Sequence, residues 1–296
     1  MKILLLGYRG MLGADLLLKL SADHEVHTTG SDELDISSGE ACQNVISAVM
    51  PDLVINAAAY TDVDGCESKR EKCFSVNAQG VKNIAIACRD RAIKIVHFST
   101  DYIFDGAKDS PYVETDACRP LNSYGLSKLE GERFLEAFSD NFLIIRSSWL
   151  YGKNGRNFVT TILEKARSVG RLDVVTDQVG SPTYTEDLAD AVVSLINGGH
   201  RGIVHVTNSG SCSWYDFTQK ILRFAGITNL PAFPITSDKL TRPAARPSYS
   251  VLDCRKFALL SGNSMRPWEE ALHDYMASAG LGKVPIYRRN NLDTLP

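Results

Sequence analysis

Short apolar runs alternate with longer amphipathic stretches through the first half of the chain. The apolar runs predict β-strands, at residues 2–6, 25–28, 53–56, 94–98 and 142–146. The stretches between them repeat apolar residues at helical spacing and predict helices, at residues 11–20, 39–50, 69–90 and 123–138. Strands separated by helices of this length indicate βαβ units, and continuously apolar strands are typical of a sheet covered on both faces. We therefore predict an α/β fold with a doubly wound parallel sheet.

The pattern becomes less regular after about residue 148. Further helices are predicted at residues 158–168, 185–197, 214–224 and 268–277, mixed with short strands such as 202–206. Four prolines between residues 231 and 247 favour irregular chain there. We predict a first domain of residues 1–148, to which about 170–206 also belong, and a smaller mixed α/β lobe formed by 149–169 and 207–282. Residues 283–296 are polar and are predicted to form a loosely attached tail.

The composition is that of an ordinary globular protein. Among 296 residues there are 32 Lys and Arg against 35 Asp and Glu, a net charge of −3, and 44% of the residues are apolar. These values argue against a disordered chain, a collagen-like repeat and a strongly basic nucleic-acid-binding protein. No apolar run reaches the ~18–20 residues of a membrane span. We expect neither a nucleic acid nor a membrane as a partner.

The cysteines indicate a reducing compartment. The chain has seven, an odd number, and no Cys-x-x-Cys pair, so separate packed thiols fit better than a disulfide framework. The first residues lack the long apolar segment and small-residue cleavage site of a secretory signal. We therefore expect a cytoplasmic protein. Cys and His residues are not clustered at the spacing of zinc ligands, and no metal site is predicted.

A glycine-rich turn joins the first predicted strand to the first predicted helix. Its sequence is Gly7-Tyr8-Arg9-Gly10-Met11-Leu12-Gly13. The first glycine allows a tight turn, the second lets a pyrophosphate approach the backbone, and the third lets the helix pack closely on the strand. The helix N-terminus offers unpaired N–H groups to the anion. This context favours a dinucleotide site over a ligand-free turn, with cofactor-binding residues Gly7, Arg9, Gly10, Met11, Leu12 and Gly13.

The second predicted strand bears on the choice between the two nicotinamide dinucleotides. Sites that prefer NAD usually place an acidic residue at the end of this strand, where it holds the ribose 2′-hydroxyl. Residues 27–31 contain no acid, and Asp32 is the first. Arg9 in the turn, with the hydroxyls of Thr29 and Ser31, would tolerate a 2′-phosphate. We therefore expect NADPH as the cofactor, with NADH also used.

Thr100, Tyr124 and Lys128 form a candidate catalytic group. Thr100 follows Ser99 at the carboxyl end of the fourth predicted strand, where open α/β sheets bind ligands. Tyr124 and Lys128 are four residues apart, on one face of a predicted helix. A phenol has a pKa near 10, so a neighbouring ammonium and the charge of the nicotinamide would together bring that pKa toward neutral pH. Thr100 would hold the carbonyl oxygen. An exposed, structural Tyr-Lys pair is the alternative.

These motifs together resemble the extended short-chain dehydrogenase/reductase family, whose Rossmann-type sheet agrees with the predicted fold. The resemblance covers residues 1 to about 279. Besides the glycine turn and the Tyr-Lys pair, it rests on segments 56–61, 76–78, 99–106, 146–151, 157–158, 177–183 and 246–247. The most specific of them are STDYIFDG at 99–106 and DQVGSPT at 177–183.

The resemblance implies an NAD(P)H-dependent reductase that acts on the 4-keto group of a dTDP-sugar and yields dTDP-L-rhamnose. It implies that Thr100, Tyr124 and Lys128 are catalytic, with Tyr124 as the proton donor. Tyr124 and Lys128 would also contact the cofactor, Lys128 at the nicotinamide ribose. The resemblance places further cofactor contacts along the adenine and the middle of the molecule, at Asp35, Ile36, Ala57, Ala58 and Ala59.

The smaller lobe would bind the substrate. By resemblance, the substrate-binding residues are Thr100, Asp101, Tyr102 and Trp149. Arg246 is added on chemical grounds, because a guanidinium can bind a diphosphate at two points; a plain surface position is the alternative.

Three other functions share parts of this pattern. A sugar-nucleotide 4,6-dehydratase usually has Asp-Glu after the threonine, whereas this chain has Asp101-Tyr102. A 4-epimerase usually has a Val-Tyr-Gly segment a few residues later, which Phe104-Asp105-Gly106 fits less well. The third is a non-catalytic NADP-binding protein like the regulatory subunit of methionine adenosyltransferase.

The sequence leaves the assembly and the substrate side partly open. We expect a monomer or a homodimer. Some relatives dimerise through a magnesium-bridged acidic patch, and no residue here is assigned to one, so magnesium stays open. Asp62 and Tyr249 depart from the family pattern on the substrate side. The acidic segment 62–67 is interpreted as a solvated loop, with contact to the substrate as the alternative.

Overall fold

The predicted parallel sheet lies at the centre of the computed structural model, which describes residues 1–282. The strands, in chain order, are β1 (Lys2–Leu6), β2 (Glu25–Thr29), β3 (Leu53–Asn56), β4 (Lys94–Thr100), β5 (Phe142–Ser147), β6 (Leu150–Tyr151), β7 (Leu172–Val175), β8 (Val179–Gly180), β9 (Thr183–Tyr184), β10 (Gly202–His205), β11 (Cys212–Ser213) and β12 (Ala232–Ile235). Six of them form one sheet in the order β10-β5-β4-β3-β1-β2, with every neighbouring pair parallel. The predicted doubly wound α/β fold is confirmed.

The helices, in chain order, are α1 (Met11–Leu20), α2 (Gly39–Val49), α3 (Gly65–Ser68), α4 (Arg70–Phe74), α5 (Gly80–Arg89), α6 (Ser123–Phe138), α7 (Phe158–Ser168), α8 (Thr185–Asn197), α9 (Trp214–Phe224), α10 (Arg255–Ser261) and α11 (Trp268–Ser278). Within the described residues, none is long and apolar enough to cross a membrane.

The stretch 69–90, predicted as one helix, contains α4, a π-helical turn at Ser75–Gln79 and α5. Buried Asn77 lies in that turn. Its side chain accepts a hydrogen bond from Tyr60 N and donates one to Tyr60 O, at 2.8 and 2.9 Å. These bonds tie the helix to the loop after β3, and a widened turn accommodates them.

Layers of helices cover both faces of the main sheet. Along β1, Ile3 and Leu5 contact the cluster under α1 and α8, whereas Leu4 and Leu6 contact the cluster under α2 and α5. All four side chains are fully buried, as expected for a strand covered on both faces. Because all strands are parallel, the carboxyl ends of β1, β3 and β4 meet at one edge, where ligands bind in this type of sheet.

A separate apolar cluster lies outside the main sheet and forms the core of the smaller lobe. It joins α7, α9 and α11 around Tyr151, Phe217 and Trp268. Three two-stranded ladders, β6-β9, β7-β12 and β8-β11, complete this part of the chain. The assignment of about 170–206 to the first domain stays a prediction. β10 is an edge strand of the main sheet and α8 packs on that sheet, whereas β7 pairs with β12. The predicted tail, 283–296, lies outside the described residues.

The start of α6 is held against the end of β4. Asn122 caps the helix by accepting a hydrogen bond from Gly125 N at 2.8 Å, and its amide donates to Ala245 O at 2.7 Å. Gly125 lies so close to the chain after β4 that a Cβ there would be 2.1 Å from Tyr102 O. This close approach brings the first turn of α6, which carries Tyr124, beside the residues that follow β4.

Candidate active site

The glycine turn after β1 is shaped by close approaches of the backbone. Gly7 has a φ of +78°, and a Cβ there would lie 2.7 Å from Ala58 N, so only glycine fits. At Gly13 a Cβ would lie 2.2 Å from Gly7 O. At Gly10 a Cβ would meet only Gly7 O, at 3.2 Å. Packing therefore demands glycine at residues 7 and 13, whereas at residue 10 the bare backbone leaves the start of α1 open to a ligand.

A groove of about 400 Å³ extends from this turn across the ends of β1, β2 and β3. The predicted cofactor-binding residues that line it are Gly7, Arg9, Gly10, Asp35, Ile36, Ala57, Ala58 and Ala59. Residues 11–13 form the first turn of α1, which has no side-chain cap, and the Leu12 side chain packs in the core. An uncapped helix N-terminus behind bare backbone is suited to a pyrophosphate. The residues present therefore fit the predicted dinucleotide.

Arg9, at the rim of the groove, is already paired. Its Nη1 donates to both carboxylate oxygens of Asp32, at 2.6 and 2.7 Å, and its Nε donates to the Tyr8 hydroxyl at 2.8 Å. The hydrogen bond from Arg9 lowers the pKa of Asp32. Thr29 and Ser31 line the groove nearby. An anion that binds Arg9 here must therefore compete with Asp32.

Thr100, Asp101 and Tyr124 meet at the carboxyl end of β4. The Thr100 hydroxyl donates to Asp101 Oδ1 at 3.0 Å and lies close enough to the Tyr124 hydroxyl to lower its pKa. Ser250, from the smaller lobe, donates to Asp101 Oδ2 at 2.5 Å. Burial raises the pKa of Asp101 to about 6, and the bonds from Ser250 and Thr100 limit that rise. Folding thus brings these predicted residues together and adds Ser250 to them.

The phenol of Tyr124 has a raised pKa. Burial is the main cause and the negative charge of Asp101 adds to it, whereas the contact with Thr100 opposes it. We expected the Lys128 ammonium to lower this pKa, but Lys128 Nζ donates to Phe98 O at 2.5 Å, and burial lowers the pKa of Lys128 itself to about 8. Burial is therefore the main influence on the Tyr124 pKa in this structure, and the combined effect of Lys128 and a bound nicotinamide on it stays a prediction. Tyr124 is protonated at neutral pH, the state that a proton donor requires.

Tyr102 and Arg246 lie beside Tyr124 on the side of the smaller lobe. The rings of Tyr102 and Tyr124 meet edge to face, with centroids 5.9 Å apart. Burial raises the pKa of Tyr102 to about 12, and the nearby charge of Arg246 opposes that rise. Arg246 Nη2 also lies 2.8 Å from Oδ2 of Asp64. Asp64, interpreted from the sequence as part of a solvated loop, is therefore an ion-pair partner at the site.

Trp149 is held between elements of the smaller lobe. It follows β5 with a left-handed φ of +49°, and Ser147, two residues earlier, is the register partner of Thr100. The indole stacks on Trp214, with centroids 3.4 Å apart and planes 5° apart. A Cβ on Gly180 would lie 2.5 Å from the same ring. One face of Trp149 is thus covered by Trp214.

The cysteines are all free thiols, five of them buried and two half-buried. Among residues 1–282, no group of three or more His, Cys, Asp or Glu side chains is arranged to hold a metal ion.

The comparison with protein families agrees with this geometry. A model described as the RmlD substrate binding domain matches residues 1–280. The chain belongs to the RmlD family. The resemblance indicated by the motifs is thereby confirmed.

Relatives of this RmlD-family chain carry several names. It is 38% identical to the spore coat polysaccharide biosynthesis protein SpsK of Bacillus subtilis, over 93% of this chain and 96% of the relative. It is also 38% identical to a dTDP-4-dehydrorhamnose reductase of Mycolicibacterium smegmatis, over 94% and 85%. Identity is 35% to a dTDP-4-keto-6-deoxy-D-glucose reductase of Streptomyces niveus, over 91% and 94%.

Two solved structures show the same fold. A dTDP-4-dehydrorhamnose reductase from Clostridium acetobutylicum superimposes with a TM-score of 0.91 at 40% identity, covering 95% of this chain and 100% of that one. The corresponding protein from Bacillus anthracis, in complex with NADP, gives a TM-score of 0.90 at 35% identity, covering 94% and 99%.

Several residues of the site of this RmlD-family chain were not predicted as site residues. His97, which contacts both Asn56 and Lys128, and Asn56 itself are polar side chains in or at the end of apolar strands. That break in the apolar pattern was an available signal. Asp64 and Ser250 join the site only through the fold, and no local pattern marks them.

Proposed function

We propose that this RmlD-family chain reduces the 4-keto group of a dTDP-sugar with NAD(P)H, converting dTDP-4-dehydro-L-rhamnose to dTDP-L-rhamnose in the cytoplasm. The observation that carries the proposal is that Thr100, hydrogen-bonded to Asp101, lies beside a protonated Tyr124 at the carboxyl end of β4. The reductase relatives support the class of substrate.

The groove after β1 would hold the cofactor, with the pyrophosphate at the N-terminus of α1. The reduced cofactor supplies the hydride that reaches the sugar carbon. The adenine would lie along Asp35 and Ile36, the middle of the molecule along residues 57–59, and the nicotinamide ribose beside Lys128. The placement of the adenine and of the middle of the cofactor is supported by the residues that line the groove.

Arg9 would favour NADPH. A 2′-phosphate at the rim would take the guanidinium from Asp32 and form charge-assisted hydrogen bonds. With NADH, Arg9 keeps its bonds to Asp32, so both charged side chains remain paired. The arrangement is consistent with use of both cofactors and a preference for the phosphorylated one.

Tyr124 would deliver the proton. Its raised pKa keeps the phenol protonated until the sugar oxygen becomes basic. Thr100 would hold that oxygen, and to do so its hydroxyl must turn from Asp101 to the substrate. Ser250 still donates to Asp101 when this happens, so the buried carboxylate keeps a partner during the exchange.

Arg246, Tyr102 and Trp149 would bind the substrate on the lobe side. The guanidinium of Arg246 lies close enough to Tyr102 to lower its pKa, next to the ring that meets Tyr124 edge to face. A planar guanidinium suits a diphosphate. Trp149, fixed by Trp214, would offer a rigid wall to the sugar or the base.

A different 4-keto sugar is the second candidate, because a relative at 35% identity is named a dTDP-4-keto-6-deoxy-D-glucose reductase. The test is the initial rate of NADPH and of NADH oxidation with several dTDP- and UDP-linked 4-keto sugars. We expect the highest kcat/KM with dTDP-4-dehydro-L-rhamnose and NADPH. A higher kcat/KM with another sugar overturns the rhamnose assignment. If none of these sugars supports oxidation of NADPH or NADH, the reductase proposal is overturned and a non-catalytic NADP-binding role is favoured.

A further inference from the structure

The segment DQVGSPT, at residues 177–183, is one of the most specific parts of the family resemblance, but none of its residues belongs to the predicted site. In the structure it lies against Trp149, the half-buried residue two positions after the end of β5. Three of its residues, Gly180, Ser181 and Thr183, contact Trp149 or the residue before it. Each contact limits where the indole or the backbone of Trp149 can lie.

The first contact is between the backbone of Gly180 and the indole ring. A Cβ at residue 180 would lie 2.5 Å from Cε2, 2.7 Å from Nε1 and 2.8 Å from Cζ2 of Trp149, and these are the three atoms nearest to it. Gly180 does not have the positive φ that favours glycine, so its backbone conformation is open to other residues. The indole, rather than the backbone, therefore requires glycine at this position.

The other two contacts hold the backbone around residue 149. Ser148 Oγ donates to Ser181 O at 2.7 Å, and Thr183 N donates to Trp149 O at 3.2 Å. Trp149 has a φ of +49°, which is rare for a residue with a large side chain. Such a conformation persists only when the surrounding structure holds it. The two hydrogen bonds supply that support, one on each side of the residue.

Trp214 limits the indole from a second direction, because the two rings are stacked with centroids 3.4 Å apart. One short ladder sets the positions of both neighbours of the ring. Gly180 on β8 is the register partner of Cys212 on β11, and Trp214 comes two residues after Cys212. The backbone of Gly180 and the ring of Trp214 thus form a slot of fixed width, called here the Trp149 slot.

We infer that residues 180–183 and Trp214 are positioning residues, which fix the indole of Trp149 and its left-handed backbone. In the proposed reductase, the uncovered part of that indole would be the wall against which the sugar or the base lies. The Trp149 slot would then determine the KM for the sugar nucleotide. This consequence rests on the proposed function; the placement of the ring does not.

The first test is a double-mutant cycle measured by thermal unfolding, without cofactor or substrate. Gly180→Ala should lower the melting temperature, because its Cβ clashes with the indole. In a Trp149→Leu background the same substitution should lower it much less, since the ring is gone. Gly170→Ala, in the loop before β7, is the matched control. A Cβ there meets no atom within 4 Å, so its effect should be small and the same in both backgrounds.

The cycle decides the inference whether or not every variant folds. An equal fall in melting temperature in the two backgrounds, or no fall in either, overturns the inference. Should Gly180→Ala not fold, a folded double variant supports the inference and an unfolded one overturns it. The cycle needs no activity, so its failure and the failure of the proposed function are distinguishable.

The second test uses steady-state kinetics to separate positioning from a general loss of structure. Trp214→Leu removes the ring on which Trp149 stacks and should raise the KM for the dTDP-sugar about tenfold. The kcat and the KM for NADPH should change little. Trp214→Phe keeps a ring and should recover most of the loss. A lower kcat with an unchanged KM, or an equal loss in Trp214→Phe, overturns the positioning role. If no sugar is reduced, the proposed function fails and the thermal cycle decides the inference.

Discussion

Arg246 of the smaller lobe and Asp64 of the loop after β3 form a two-point ion pair, with Nη1 3.0 Å from Oδ1 and Nη2 2.8 Å from Oδ2. Ala244 N also donates to Asp64 Oδ1, at 3.2 Å. The pair therefore joins the two parts of the chain next to Tyr102. It fixes the plane of the guanidinium before any substrate arrives, which reduces the side-chain entropy lost on binding.

Arg246→Gln tests whether this guanidinium binds the substrate. Losing a charge-assisted contact of about 1.5–3 kcal/mol should raise the KM for the dTDP-sugar by about 10- to 100-fold, with little change in kcat or in the KM for NADPH. Steady-state kinetics measure this. Arg242→Gln, which removes an exposed cation from the same loop, should have a smaller effect. Equal effects of both variants would indicate a general charge effect rather than a contact.

Substitutions at two glycines of the turn after β1 distinguish a packing role from a role in cofactor binding. Gly13→Ala places a Cβ against Gly7 O, so we expect both a lower melting temperature and weaker NADPH binding. Gly10→Ala meets only one atom, at 3.2 Å. It should therefore leave the free energy of unfolding within about 1 kcal/mol of the wild type while raising the Kd for NADPH. Thermal unfolding and fluorescence titration measure the two quantities. Unchanged NADPH binding in Gly10→Ala would contradict the placement of the pyrophosphate.

The main sheet was predictable because its strands are long apolar runs separated by helices, so pattern and topology agree. The ends of the strands were harder to predict. β4 continues through Ser99 and Thr100, which are not apolar, because these two residues pair with Arg146 and Ser147 on β5. The two-residue strands of the smaller lobe are too short to show a period.

The residues of the candidate site also fall into those that the sequence could predict and those that it could not. Thr100, Tyr124 and Lys128 could be predicted from the sequence because the first lies at the end of a predicted strand and the other two lie on one face of a single predicted helix. Ser250 is 149 residues from its partner Asp101, and its position depends on how the smaller lobe folds. The raised pKa of Tyr124 was also not predictable, since burial rather than a neighbouring charge is its main cause.

Arg9→Gln tests the basis of cofactor preference. We expect the KM for NADPH to rise about tenfold, because a charge-assisted contact to the 2′-phosphate is lost, and the KM for NADH to change little. Asp32→Asn is the matched variant: it frees Arg9 from the carboxylate, and the KM for NADPH should fall. Parallel changes in both cofactors for Arg9→Gln would place Arg9 at a part of the dinucleotide that the two share.

Ser250→Ala tests the link between the smaller lobe and Asp101. The lost hydrogen bond stabilised the carboxylate, so the pKa of Asp101, now about 6, should rise by about one unit. A ¹³C NMR titration of the carboxyl carbon measures it. Ser248→Ala removes a hydroxyl bonded to Gly106 O instead and should leave this pKa unchanged; a shift of the same size there would contradict the assignment.

The same group predicts a pH dependence of stability. Because the folded-state pKa of Asp101, about 6, lies above the unfolded value of about 4, its contribution to stability is complete below pH 4 and is lost as the pH rises through 6. Ser250→Ala should move the upper end of that window to higher pH. Denaturant unfolding of both proteins at pH 5, 6 and 7 measures the shift.

Transfer of deuterium tests the central claim most directly. NADPH that carries deuterium at both hydrogen positions of C4 is incubated with dTDP-4-dehydro-L-rhamnose and either the wild type or Tyr124→Phe. The product is analysed by NMR and mass spectrometry. The account predicts one deuterium at C4 of the sugar for each NADPH oxidised by the wild type. For Tyr124→Phe it predicts a rate at least 100-fold lower with NADPH still bound. Label absent from the sugar, or a variant as fast as the wild type, would contradict it.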